Sequence, residues 1–202
     1  HVMAAGSLLG ITLGKGQSFP VGKVNTMHLY PMDFEEFLMA AGEADLCKLL
    51  HQPDWEILKI LSSKYIDLLR QYYYVGGMPE VVDHFIQHHD LQEVRNKQRE
   101  ILDAYRRDIS KHTTPMESMR IGQVLQSLPS QLARENKKFI YNVLKKGARA
   151  AEYKLAIQWL MDAGLVHKVS RVKELQMPVK FYEDLSAFKL FLLDCGLLGC
   201  MT

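Results

Sequence analysis

The chain has 202 residues, of which 48% are hydrophobic, 24% charged and 9% aromatic, a composition that excludes disordered, collagen-like and membrane classes. Twenty-five Lys and Arg against 23 Asp and Glu leave a net charge of +2, so no global field points to nucleic acid or a membrane surface. Three scattered cysteines, Cys47, Cys195 and Cys200, fit a reducing cytoplasm better than a disulfide framework. No apolar run approaches the roughly 20 residues that span a bilayer, so neither a membrane nor a secretory reading is favoured.

Val2 to Ala5 reads as a buried strand, and Met27 to Tyr30 as a second. Between them, residues 6–25 are glycine-rich and read as a loop. Gly10 to Gly16 has one residue too few between its glycines for a Walker A loop, and glycine stands where that loop needs Ser or Thr for magnesium. Strands normally flanked on both sides would be left as edges here. The chain therefore reads as a portion of a longer protein, with self-association expected through strands 2–5 and 27–30.

After Pro31, Asp33 and Glu36 form a capping box ahead of Phe34, Phe37, Leu38 and Ala41. From Asp54 to Tyr72 the apolar spacing predicts one long amphipathic helix ending at Gly76 and Gly77. Pro79 suits the first turn of the next helix. Asp90 and Glu93 predict another capping box, before a stripe of Val94, Ile101, Leu102, Tyr105 and Ile109. Thr113 to Pro115 then breaks the chain. Helices are expected around Ile121 to Leu128, Phe139 to Leu144 and Ala156 to Ala163, the last ending at Gly164. Strands are expected at Leu165 to Val172, Val179 to Tyr182 and Phe188 to Leu193. Three helices and a hairpin are in the order of a winged helix.

These stretches resemble a known family, the prokaryotic AAA+ superfamily ATPases that carry an uncharacterised C-terminal domain with a winged helix. The blocks that carry the resemblance are Ala4 to Gly10, Leu29-Tyr-Pro-Met-Asp-Phe-Glu-Glu-Phe-Leu38, Gly76-Gly-Met-Pro-Glu-Val-Val82, Leu128 to Leu132, Glu135 to Phe139 and Asp194-Cys-Gly-Leu-Leu198. The resemblance implies a mainly α fold with small β elements: residues 1–50 as the end of the AAA+ α/β core, 51–113 as a helical lid, and 114–202 as the winged helix. It implies that Ser7 is the sensor-like residue and that Gly76, Gly77 and Pro79 form the lid turn that covers a nucleotide base. ATP and magnesium would be bound by the intact parent, whose upstream ATPase core carries the Walker A and Walker B segments. Neither segment is in these residues, so no ATP hydrolysis and no cofactor is expected of this chain alone.

Local charge is concentrated in residues 133–173, where ten Lys and Arg face Glu135, Glu152 and Asp162, a local excess of +7. Lys145, Lys146 and Arg149 precede the third helix of the winged helix, while Lys168, Arg171 and Lys173 fall on the hairpin. Phosphate contacts from both would fit DNA binding. A solvated basic face on a module used for protein contacts fits the same charges, and an autonomous DNA-binding or interaction module is the alternative to an ATPase portion. His84 and His88, near Glu80, could face one metal, but no further ligand pair follows at zinc spacing, so they read as helix-surface histidines and no metal is expected. Trp159 and Tyr72 to Tyr74 read as core residues and not as base-stacking platforms.

Overall fold

A computed structural model describes Gly6, Asn25 and residues 27–202. Over the described residues the protein is mainly helical with one small antiparallel sheet, and the chain packs as two units. Among the described residues no helix is long and apolar enough to cross a membrane. The first expected strand and Ser7 lie outside the described residues. Met27 to Tyr30 does not form the second expected strand: its residues are irregular and its apolar side chains face outward, Leu29 being 95% exposed.

One unit contains Tyr30–Arg106 and Asp194–Thr202. Helix α1 (Phe34–Ala40) begins with the expected capping box, Asp33 Oδ1 accepting from the Glu36 N–H while Glu36 accepts from that of Asp33, each at 2.9 Å. Gly42, at φ 79°, turns the chain into α2 (Ala44–His51). The long helix expected from Asp54 is divided at Leu61 into α3 (Trp55–Ile60) and α4 (Ser62–Val75). Leu61 leaves helical geometry at φ −86° and ψ 2°, and the Ser62 hydroxyl donates to the Lys59 carbonyl at 2.8 Å. Such a local side-chain bond competes with helix continuation.

Pro79 opens α5 (Pro79–His88), which ends with His89 in the left-handed region. Helix α6 (Leu91–His112) starts on Asp90, whose carboxylate accepts from the Gln92 and Glu93 N–H groups. Two apolar clusters hold this unit together. Phe37, Val75, Val81, Val82, Phe85 and Val94 form one, and Leu38, Leu46, Cys47 and Leu68 the other. Phe37 and Leu38 are adjacent in α1 and each is fully buried, so α1 supplies a side chain to both clusters.

The other unit contains Arg107–Leu193. Helix α7 (Pro115–Leu132) begins with a capping box on Thr114 and Glu117. The helix expected at Phe139 to Leu144 is only a single 3-10 turn, Tyr141–Val143. Its approach is held from outside: the Phe139 N–H donates to the Phe188 carbonyl at 2.9 Å, and the Ile140 N–H to Oε1 of buried Gln131 at 2.6 Å. Backbone donors used this way cannot also serve a helix.

Helix α8 (Ala150–Asp162) follows and ends at Gly164, φ 70°. Strands β1 (Val166–Val172) and β2 (Glu183–Leu192) form the antiparallel sheet. The expected strand at Val179 to Tyr182 is a 3-10 turn in the connection, and the pairing strand is the single longer β2. Ser170 pairs with Phe188 but Arg171 with Asp184, so β2 bulges between them. The short helix α9 (Cys195–Cys200) belongs to the first unit and not to the winged-helix segment that sequence reading placed it in.

Candidate functional site

The glycine turn after α4 is where three backbone segments meet. Gly76 has φ 78° and ψ −167°, a conformation open to glycine and strained for other residues. A Cβ on Gly76 would collide with the Asp194 carboxylate, one on Gly77 with the backbone of Met32, and one on Gly196 would stand 2.5 Å from the Val75 carbonyl oxygen. This closeness permits a set of hydrogen bonds. Met32 donates its N–H to the Gly77 carbonyl at 2.7 Å, and Gly77 donates its own to Asp194 Oδ2 at 2.6 Å. Asp194 is also the N-cap of α9, its Oδ1 accepting from Leu197 N–H at 2.7 Å.

The electrostatics around the turn follow from burial. Asp194 is buried, and loss of water raises its carboxyl above the usual range, against the lowering effect of backbone N–H groups of Gly77, Leu197 and Gly196. Burial, with Asp194 next door, pushes the Cys195 thiol up to about 11. Tyr72 is raised by the same desolvation, and its hydroxyl donates to the Met32 carbonyl at 3.0 Å.

Sequence reading did not anticipate Gln98, which is fully buried on α6. Its Nε2 donates to the carbonyls of Tyr74 and Val75, both at 2.9 Å, satisfying the C-terminal end of α4. Arg95 donates to Gln98 Oε1 at 2.6 Å and to the Gly196 carbonyl at 3.1 Å, with its guanidinium 3.8 Å from the centre of the Tyr74 ring. A glutamine in a polar helix stretch carries no sequence signal of burial. Tyr72 and Tyr74 thus serve this junction as structural residues.

In the other unit the basic residues separate into two kinds. Lys145 and Lys146 are exposed in the turn after the 3-10 helix, and Arg149 is exposed at the N-cap of α8. Lys168 and Arg171 differ from them. Residues 167, 169 and 171 of β1 are exposed and those at 168, 170 and 172 are half-buried, so Lys168 and Arg171 project to opposite faces. The Lys168 ammonium lies 4.9 Å from the Phe188 ring centre, and Arg171 donates to Asp184 Oδ2 at 2.5 Å. Asp184 is held well below the usual carboxylate range by hydrogen bonds from Ser186 and Arg171.

Rings of His84 and His88 stack with centroids 4.5 Å apart, while nearby Glu80 pairs with Lys97 at 3.1 Å. No third ligand joins them among the described residues, where the one grouping of ligand side chains is Glu35, Cys47 and His51. Trp159 is half-buried in α8, in keeping with a packing role.

A family model described as a domain of unknown function, DUF8612, matches residues 66–202. The chain belongs to the DUF8612 family. No curated protein and no solved structure matches it. The DUF8612 region holds both partners of the Gly77–Asp194 hydrogen bond as well as the basic segment, and Glu35, Cys47 and His51 precede it.

Proposed function

We propose that residues 115–192 act as a winged helix that holds DNA through its phosphates, in the C-terminal portion of an AAA+ superfamily ATPase. The observation that carries the DNA reading is the exposure of Lys145, Lys146 and Arg149 in the turn and N-cap leading into α8. Cations and unpaired N–H groups at a helix start both favour phosphate oxygens. The order of helix, 3-10 turn, helix and hairpin supports placing α8 as the element that approaches the duplex. Lys168 and Arg171 are committed to Phe188 and Asp184, so the helix side supplies the main grip. The ATPase part of the reading rests on the resemblance of the sequence blocks, and ATP and magnesium belong there to the upstream core. The glycine turn enters that reading as the lid turn, with the Asp194 carboxylate and the Met32 backbone packed where Cβ atoms on Gly76 and Gly77 would stand.

The test is fluorescence anisotropy with a short duplex across a salt series. Binding should weaken steeply with salt, and replacing Lys145, Lys146 and Arg149 together by Ala should flatten the logarithmic salt slope by up to about 2.7, about 0.9 for each phosphate no longer neutralised. Absence of binding at low salt, or indifference to the triple change, overturns the DNA reading.

A second reading, protein contact, is favoured by apolar exposure on the same unit. Leu155 on α8 is 72% exposed, and Leu175, Met177 and Phe181 in the hairpin connection are each more than 85% exposed. If DNA binding fails, this surface is where a partner would be mapped.

A further inference from the structure

Helices α1 and α2 bring together three side chains of different chemistry that the proposed function does not use. Glu35 lies in the first turn of α1, while Cys47 and His51 stand one turn apart on α2 and share a face of it. The two helices fold back on each other through Gly42, and the Glu43 N–H donates to the Leu38 carbonyl at 2.8 Å. One carboxylate oxygen, one thiol sulfur and one imidazole nitrogen consequently lie within 4.8 Å of one another. His51 Nε2 is already 2.9 Å from Glu35 Oε2.

We propose that Glu35, Cys47 and His51 form a mononuclear zinc site with one position left to water. Carboxylate, thiolate and imidazole are the three ligand types zinc accepts, and a thiolate with an imidazole selects against magnesium and calcium. Tetrahedral ligands at ~2.0–2.3 Å from zinc stand about 3.3–3.8 Å apart, so closing the present cluster takes a shift of about 1 Å in a side chain. The side chains of His51 and Glu35 are 65% and 41% exposed, which gives that freedom and an approach for the ion. Cys47 is packed with Leu38, Leu46 and Leu68, so its backbone is fixed and one side of the site is dry. A Glu35–His51 hydrogen bond needs neither the cysteine nor its register on α2. On binding, the Cys47 thiol loses its proton to solvent and the sulfur lone pair forms the Zn–S bond. The proton that His51 Nε2 holds against Glu35 Oε2 passes to solvent or, by exchange of tautomer, stays on the ring at Nδ1; the freed Nε2 lone pair and the freed carboxylate oxygen then both bind the metal. Affinity therefore falls as pH is lowered.

The test is titration of the full chain with zinc by calorimetry and with cobalt(II) by absorption, in a non-thiol reductant. One ion per chain is expected, with the visible bands of tetrahedral cobalt and a thiolate-to-cobalt charge-transfer band. His51→Ala and Glu35→Gln, both at exposed side chains, should each weaken binding by no less than the roughly tenfold that loss of even an outer-shell partner produces. Cys47→Ala should abolish the charge-transfer band, and the double change His84→Ala with His88→Ala should leave both titrations as they were. No saturable binding at micromolar metal, binding without the thiolate band, or binding unchanged by His51→Ala would each overturn the site. Circular dichroism of His51→Ala and Glu35→Gln separates loss of the site from loss of fold, so the result stands even if Cys47→Ala unfolds its core.

Discussion

The Gly77 N–H donates to Oδ2 of Asp194 at 2.6 Å, joining two residues 117 positions apart in the chain. The other oxygen of the same carboxylate caps α9 through the Leu197 N–H. One side chain therefore satisfies two buried donors. Asp194→Ala strands both, and hydrogen bonds to a charged group contribute about 1.5–3 kcal/mol each. We expect a loss of roughly 2–4 kcal/mol in urea unfolding, the lower figures reflecting the carboxylate's own burial cost. Asp194→Asn should lose less, because one amide oxygen still accepts while the charge is removed; equal stability of Asp194→Ala and the parent would refute the bridge.

Glycine substitutions should divide by what surrounds each position. Gly76→Ala and Gly77→Ala meet Asp194 and the Met32 backbone, and Gly76 also needs its positive φ, so each should cost at least about 2 kcal/mol. Gly122, inside α7, has nothing within 4 Å of an added Cβ, so Gly122→Ala should stabilise by roughly 0.5–1 kcal/mol. Thermal melts of the three variants measure this contrast, and a destabilised Gly122→Ala would contradict it.

Two aspartates give opposite pH slopes. Asp184, held low by Ser186 and Arg171, contributes stability that is present above the usual carboxylate range and lost as pH falls below it. Asp194, raised by burial, works the other way: its contribution is full below the ordinary carboxylate value and declines as pH rises through its higher folded value. Chemical denaturation between pH 3 and 7 should show Asp184→Asn flattening the acid loss and Asp194→Asn steepening it. The same change of slope in both variants would rule the assignment out.

Cys195, with its thiol near 11, should react slowly with iodoacetamide at pH 8, since the thiolate is the nucleophile. Mass spectrometry of the folded and urea-unfolded chain should show alkylation accelerating on unfolding. Asp194→Asn removes the neighbouring charge that helps to raise the thiol, so it should speed alkylation in the folded state.

Local chemistry was legible wherever a few neighbouring residues decide the outcome. The Asp33–Glu36 box, Pro79 at a helix start, the Gly164 helix end and the α6 stripe all follow from short-range rules, and each appears as expected. The division of the Asp54–Val75 helix at Leu61, the reduction of 139–144 to one 3-10 turn and the replacement of the strand expected at 179–182 by a 3-10 turn before β2 did not follow from periodicity. In the 3-10 case the deciding partners, Phe188 and Gln131, sit elsewhere in the chain. The blocks at Gly76 and Asp194 were both visible in the sequence as separate signals. Their union was not: a glycine's missing Cβ has meaning only once the chain that fills its place is known, and Asp194, Met32 and Gln98 come from distant positions. The sequence by itself determined the caps, the turns and the helical character. Tertiary structure decided which backbones approach one another, because close approach depends on contacts between residues that no local period relates.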